Sequence, residues 1–231
     1  MRKILLLIAA LSPRFLKYAI YRKVFGWHIG QRTRIGLSFI DAENVFIGDD
    51  VFIGRLNIIR SLKTLHIGDG ALMAQNNRII GYPHPDERFH SRFVLGHHSH
   101  IMAYHFFDAS HDIEIGHHSV VGGGGTSFWT HSLRFAPSGY EAYPISVRLG
   151  RYVYVGAVCQ LVGCDIPDRT MIGAGSVVSR RFAQEDCGLL IAGNPAEIRK
   201  RYTENLPPLE PGPDGRGEPV KAPLCGGGEA G

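Results

Sequence analysis

The sequence predicts an all-β fold, a solenoid of short parallel strands wound into a triangular prism. Three observations carry this. An aliphatic residue followed by glycine returns with a six-residue beat, as in Ile29-Gly30/Ile35-Gly36, Ile47-Gly48/Ile53-Gly54, Ile115-Gly116/Val121-Gly122 and Leu149-Gly150/Val155-Gly156. Repetition at a fixed short period is the mark of stacked-repeat architectures. The aliphatic positions also fall into triplets: Ile47/Ile53/Ile59, Ile67/Met73/Ile79, Leu95/Ile101/Phe107, Ile115/Val121/Ser127, Leu149/Val155/Leu161 and Ile166/Ile172/Val178. Three steps close one coil, with one side chain per side on the axis and a small or glycine residue beside it where the chain turns. Finally, the beat breaks between Ile59 and Ile67, Ile79 and Leu95, Phe107 and Ile115, Ser127 and Leu149, and Leu161 and Ile166, each time after the third member of a triplet. Stacking gathers these breaks on one edge, and insertions collected on one edge of a repeat scaffold are where function is expected.

The remaining elements follow in chain order. Ile4 to Leu11 is an apolar run behind Arg2 and Lys3. It is too short to span a bilayer, and Ser12-Pro13 offers no A-x-A-like cleavage site. Beyond Pro13 the spacing Phe15, Leu16, Ala19, Ile20, Val24 is helical, with Arg14, Lys17, Arg22 and Lys23 among them. Residues 1–28 therefore read as a basic amphipathic N-terminal helix. Two compatible roles suit it: lying on the inner membrane surface, or covering the open end of the solenoid. The solenoid occupies 29–203. Asn194-Pro195 reads as a turn before a short C-terminal helix, Ala196 to Tyr202. Residues 204–231 turn to Pro, Gly and charge and read as a disordered tail, because such a composition cannot bury a core.

With 231 residues and 44% hydrophobic content, the chain suffices for one continuous core and leaves little for a second globular domain. The formal charge of +4 is mildly basic. No long Lys/Arg run interleaved with aromatics calls for nucleic acid; an anionic cofactor or an acidic membrane surface accounts for the charge. Cys159, Cys164, Cys187 and Cys225 form no CxxC pair and read as reduced thiols of a cytoplasmic protein.

The period, the stretch Met171-Ile-Gly-Ala-Gly-Ser-Val-Val178 and the ending Ala192-Gly-Asn-Pro-Ala-Glu-Ile-Arg-Lys-Arg201 resemble the hexapeptide-repeat acyltransferases, within them the galactoside, maltose and surface-polysaccharide O-acetyltransferases. The resemblance covers about residues 29 to 203. It implies that the solenoid is a left-handed parallel β-helix, that acetyl-CoA is the donor, and that the chain forms a homotrimer with sites between neighbouring prisms. A sugar or glycan is the implied acceptor.

In that family a histidine just after a coil, at the base of a long loop, is the general base, and His131 in Gly125-Thr-Ser-Phe-Trp-Thr-His131-Ser132 matches it. The chemistry fits: a sugar hydroxyl attacking a thioester must lose its proton as the bond forms, and imidazole can take that proton and return it to the departing thiolate. The resemblance places the oxyanion and donor backbone at Gly156 and Ala157, where amide N–H groups at a corner can meet developing charge. It places CoA along Gly173, Ala174 and Ser179, with the basic residues Arg180, Arg199 and Arg201 toward the phosphates. Asp108, at a broken corner, is a candidate to bind acceptor hydroxyls, with His105 and Ser110 competing for the place; a turn-forming Asp is the plain alternative. The loop Gly81 to Arg92, with His84, Asp86, Glu87, Arg88 and His90, sits on the same edge.

Two other classes stay open. Twelve histidines in such a fold raise a γ-carbonic-anhydrase-like metal enzyme, with His66, His100 and His105 as ligand candidates. The phase opposes it, because His100 precedes the inward residue Ile101, and no metal is expected. A non-catalytic β-helix scaffold is the other, opposed by His131 and the intact donor-end motif.

Overall fold

In a computed structural model of the chain, residues 2–82, 86–137, 139–204 and 206–209 are described. His84, Cys225 and the tail from 210 lie outside them. The six-residue beat is a parallel β-helix with three faces. On the first, Ile29, Ile47, Ile67, Leu95, Ile115, Leu149 and Ile166 stand in register on neighbouring strands. On the second, Ile35, Ile53, Met73, Ile101, Val121, Val155, Ile172 and Ile191 do the same. Every one of these side chains is buried, so the core is a set of aliphatic ladders.

The third face holds the first correction. Its ladder is Ile40, Ile59, Ile79, Phe107, Phe128, Leu161, Val178. The inward residue of the fifth coil is Phe128, fully buried, and not Ser127, which pairs with Phe106 and Gln160 and is half-exposed. The run Gly122-Gly-Gly-Gly125 holds one residue more than the other corners of its kind, with Gly123 and Gly125 at φ +64° and +75°. One break of the beat therefore precedes the third face. Phe128 stacks on Phe107 at 4.6 Å, so Phe128→Ala should lower unfolding free energy by about 3–5 kcal/mol. Ser127→Ala should stay within about 0.5 kcal/mol. Urea denaturation of the pair distinguishes the two registers.

Glycine follows the inward residue for a reason other than backbone angle. A methyl group on Gly30 would stand 2.3 Å from the carbonyl carbon of Gly48, and one on Gly116 would stand 2.4 Å from the carbonyl oxygen of Gly150. Coil-to-coil approach, not φ, excludes a side chain there. The left-handed residue of the corner comes two positions later and is usually not glycine: Arg32, Asp50, His98 and His118 have φ of 53°, 55°, 53° and 57°.

The N-terminal segment is two helices broken at Ser12-Pro13: α1 (Arg2–Leu11) and α2 (Arg14–Lys23). Proline lacks the N–H to continue α1 and suits the entry to α2. They lie over the first coil, where carbonyls have no preceding strand to bond. Side chains answer them: Lys17 Nζ donates to Ile35 O and Gly36 O at 3.3 and 2.8 Å, Tyr18 Oη and Arg14 to Thr33 O, Arg22 to Ile29 O, and Arg2 to Ala42 O. Much of the basic character of this segment thus satisfies an open sheet edge.

At the other end, Ala196–Arg201 is a strand, not the expected helix. It runs antiparallel to Leu189–Gly193 with Gly193 opposite Ala196 and Ile191 opposite Ile198. Ala196 and Ile198 recur with the period of a strand, and the last strand of the second face needs a partner for its free backbone.

Candidate active site

The corner between third and first faces carries the insertions: the loop after Ile80, the segment after Asp108, and a hairpin, His131–Ala136 with Gly139–Pro144. They enclose a cavity of about 650 Å³ lined by Arg60, Tyr82, Phe106, Asp108, Trp129 and His131 among others. Arg88 ties the loop to the hairpin through Glu141 at 3.2 Å, and Glu141 also receives Arg134. These exposed pairs add little stability, but they fix which loops face each other across the cavity.

His131 opens the hairpin. Its Nδ1 lies 2.6 Å from Asp108 Oδ2. Asp108 is almost fully buried while the His131 side chain keeps 40% of its surface. Three further contacts pin the carboxylate: Ser110 donates its amide and hydroxyl to Oδ1 at 3.2 and 2.5 Å, and the Thr130 amide donates to Oδ2 at 3.3 Å. Thr130 Oγ1 donates to the Asp108 carbonyl at 2.7 Å, joining adjacent coils. These donors satisfy both oxygens of the buried carboxylate. With Oδ2 accepting a hydrogen bond from Nδ1–H, the neutral imidazole has Nε2 bare toward the open side. Asp108 thus holds the His131 ring and also lines the cavity, where the sequence made it a candidate to bind acceptor hydroxyls. The signal was in the chain: Asp-x-Ser is an Asx-turn pattern, and Asp108 pairs with Trp129 one coil on, two residues before His131.

His105 does not reach the cavity. It is buried in a polar ladder inside the opposite corner of the third face, where its amide donates to Asn77 Oδ1 and its Nδ1 accepts the Thr126 amide. Burial pushes its pKa down to about 4, so it is a neutral packing residue. The other histidines divide similarly. His66 stacks on Phe46 outside the first face, and His100 faces outward on the second. With His105 they lie on three different parts of the prism, which separates the three metal-ligand candidates. His97 and His117 accept the amides of Asp69 and His97 as members of a corner ladder. Among the described residues only His90, His111 and Asp112 bring three potential ligand atoms within 4.8 Å of one another.

Gly156, Ala157, Gly173 and Ala174 stack on consecutive coils at the corner between second and third faces, across the third face from His131. The Gly156 amide donates to Ile172 O in the ladder, which leaves Ala157 as the amide of that pair outside it. Ser179 and Arg180 are exposed at the far end of the last third-face strand, Arg180 over the Phe182 ring at 4.6 Å. Arg199 donates to Ala192 O, and Arg201 pairs with Asp186 at 2.5 Å on the C-terminal strand. The donor residues expected from sequence therefore do not converge with His131 in one chain. Sequence reasoning also passed over Phe106 and Trp129, 5.3 Å apart, which wall the cavity.

No protein-family model matches the sequence, and no curated protein sequence matches it. Solved structures do match. The polysialic-acid-specific acetyltransferase NeuO aligns over 76% of this chain and 81% of its own, with a TM-score of 0.54 and 19% identity. The fold is the left-handed parallel β-helix. AntD, an N-acyltransferase from Bacillus cereus in complex with dTDP and 3-hydroxybutyryl-CoA, aligns over 82% of this chain and 88% of its own, with a TM-score of 0.51 and 16% identity. At such identities the likeness establishes architecture, and the chemistry rests on the site.

Proposed function

We propose that this protein is an acyl-CoA-dependent O-acyltransferase, with acetyl-CoA as donor and a sugar or surface-polysaccharide precursor as acceptor. The observation that carries the reading is the His131–Asp108 pair, its imidazole opening into a cavity walled by Phe106 and Trp129. Aromatic walls with few convergent polar groups suit a ring with apolar faces and a rim of hydroxyls. A hydroxyl, unlike a free amine, needs its proton removed for attack, and this favours O- over N-acylation. NeuO is an acetyltransferase and AntD is bound to an acyl-CoA, which supports an acyl thioester as donor and a cytoplasmic location where such thioesters are made.

In the reaction, His131 Nε2 takes the acceptor proton as the hydroxyl oxygen bonds to the thioester carbonyl carbon. Asp108 stabilises the imidazolium that forms. As the tetrahedral intermediate collapses the C–S bond breaks, and the same proton passes to the thiolate, giving an ester and the free thiol of CoA. The carbonyl oxygen needs a donor while it carries charge. Ala157 offers its amide, but at the other edge of the third face. A neighbouring copy whose second-to-third corner meets this chain's insertion edge would bring it to His131, and a homotrimer closes that arrangement. Leu133, Phe135 and Tyr140 on the hairpin, 59%, 86% and 72% exposed, give such a copy an apolar surface.

The test is thiol release from acetyl-CoA in the presence of a panel of neutral sugars and oligosaccharides. Release stimulated by hydroxyl acceptors supports the reading. Release stimulated only by amino sugars replaces O- with N-acylation, and no release with any acceptor removes the proposal.

A further inference from the structure

The helical layer has a second apolar face. In α1, Leu6, Ala9 and Ala10 are buried against the solenoid. On the other side Ile4, Leu7, Ile8 and Leu11 are 63%, 52%, 48% and 66% exposed, at the i, i+3, i+4, i+7 spacing of one continuous helix stripe. Phe15 and Leu16, 77% and 42% exposed, extend it into α2. Capping the first coil requires only the inner face. The outer one is a contiguous apolar surface of the kind that marks an interaction site.

The charge around it selects the occupant. Between Met1 and Ile40 there is no Asp or Glu, while Lys and Arg occur eight times. Arg2 pairs with Asp41 and Arg32 with Asp50. Lys3, beside Ile4, Arg14, beside Phe15, and Lys23, beside the exposed Val24, have no carboxylate partner among the described residues. A second copy placed on this face would bring basic residues against basic residues, whereas an anionic bilayer accepts the apolar stripe and its rim together. No described helix is long and apolar enough to cross a membrane, so a bilayer meeting this face would meet it at the membrane surface.

We infer that the outer face of α1 and the start of α2 dock the protein on an anionic lipid surface, with the solenoid axis rising from it. Four coil-to-coil steps lead from the capped coil to the one that carries His131. At about 4.8 Å per coil the cavity stands about 20 Å beyond the helical layer. That height suits a sugar some residues along a lipid-linked glycan, rather than the sugar nearest the lipid. This last step rests on the proposed acyl transfer; the docking does not.

Sedimentation of the full chain with sucrose-loaded vesicles, phosphatidylcholine alone or with 30% phosphatidylglycerol, tests the docking without any acyl donor. The chain should pellet with the anionic vesicles and far less with the neutral ones. Joint replacement Leu7→Gln, Ile8→Gln, Leu11→Gln and Phe15→Gln should cut partitioning at least tenfold at unchanged circular dichroism, and Lys3→Ala with Lys23→Ala should lose most of the preference for the anionic lipid. Ile8→Trp gives an independent readout, a blue shift of its emission on adding anionic vesicles. Three results would overturn the proposal: a wild-type chain left in the supernatant, an unaffected quadruple variant, or a quadruple variant that merely falls to a smaller assembly in the absence of lipid, which would assign the face to a second copy.

Discussion

His131→Ala should reduce acyl transfer by about 10²–10⁴-fold, the contribution of a positioned general base, while leaving the fold and donor binding unchanged. The expectation is specific because His131 packs little: it keeps 40% of its side-chain surface and makes its one charged contact with Asp108. Nothing in the aliphatic ladders leans on it. Steady-state rates against donor concentration should show the loss in kcat at an unchanged KM for the donor, the pattern of an interaction made in the transition state. A denaturation midpoint that falls together with the rate would reassign His131 to packing.

Asp108→Asn should cost nearly as much, on the order of 10²–10⁴-fold in kcat by analogy with other oriented imidazoles, by a different route. The carboxamide fills the same volume and can still accept the Ser110 hydroxyl. Turned that way it presents N–H to His131 Nδ1, and the imidazole must then carry its proton on Nε2, the nitrogen that faces the cavity. A base with that nitrogen blocked cannot take the acceptor proton. Asp108→Ala goes further, since it strips the acceptor from Ser110 and the Thr130 amide in a buried corner, and should also destabilise by about 1–3 kcal/mol. Comparing the two separates orientation from support: the Asn variant leaves only the Thr130 amide without its acceptor and should lose turnover far out of proportion to stability, whereas the Ala variant should lose both. An Asn variant with wild-type kcat would leave Asp108 as a turn residue only.

How far the chain could be read follows from which forces each residue answers. The ladders from Ile47 to Ile172 were legible because a prism admits one inward residue per face, and a six-residue step repeats that demand without ambiguity. Phe128 was not, since a run of four glycines has no side chain to mark which residue is extra, and counting six from Val121 lands on Ser127. The C-terminal strand was misread because Ala196 to Arg201 is short and rich in good helix formers; a vacant sheet edge decided it, and that is tertiary information. His131 stands out in the sequence through its place after a coil and before a long insertion. The contact of Asp108 with His131 is not legible in the sequence, because the partner is 23 residues away along the chain and one coil away in space. The residues expected to hold the donor lie across the third face from His131, a separation that a ladder of sequence positions does not express.

The most direct test of the central claim is a calorimetric titration of acetyl-CoA into wild-type protein and into His131→Ala, paired with thiol release from the same preparations. The account predicts saturable binding near one site per chain in both, with transfer to a sugar hydroxyl confined to the wild type. Absence of binding in both, or transfer by the alanine variant at the wild-type rate, would contradict it.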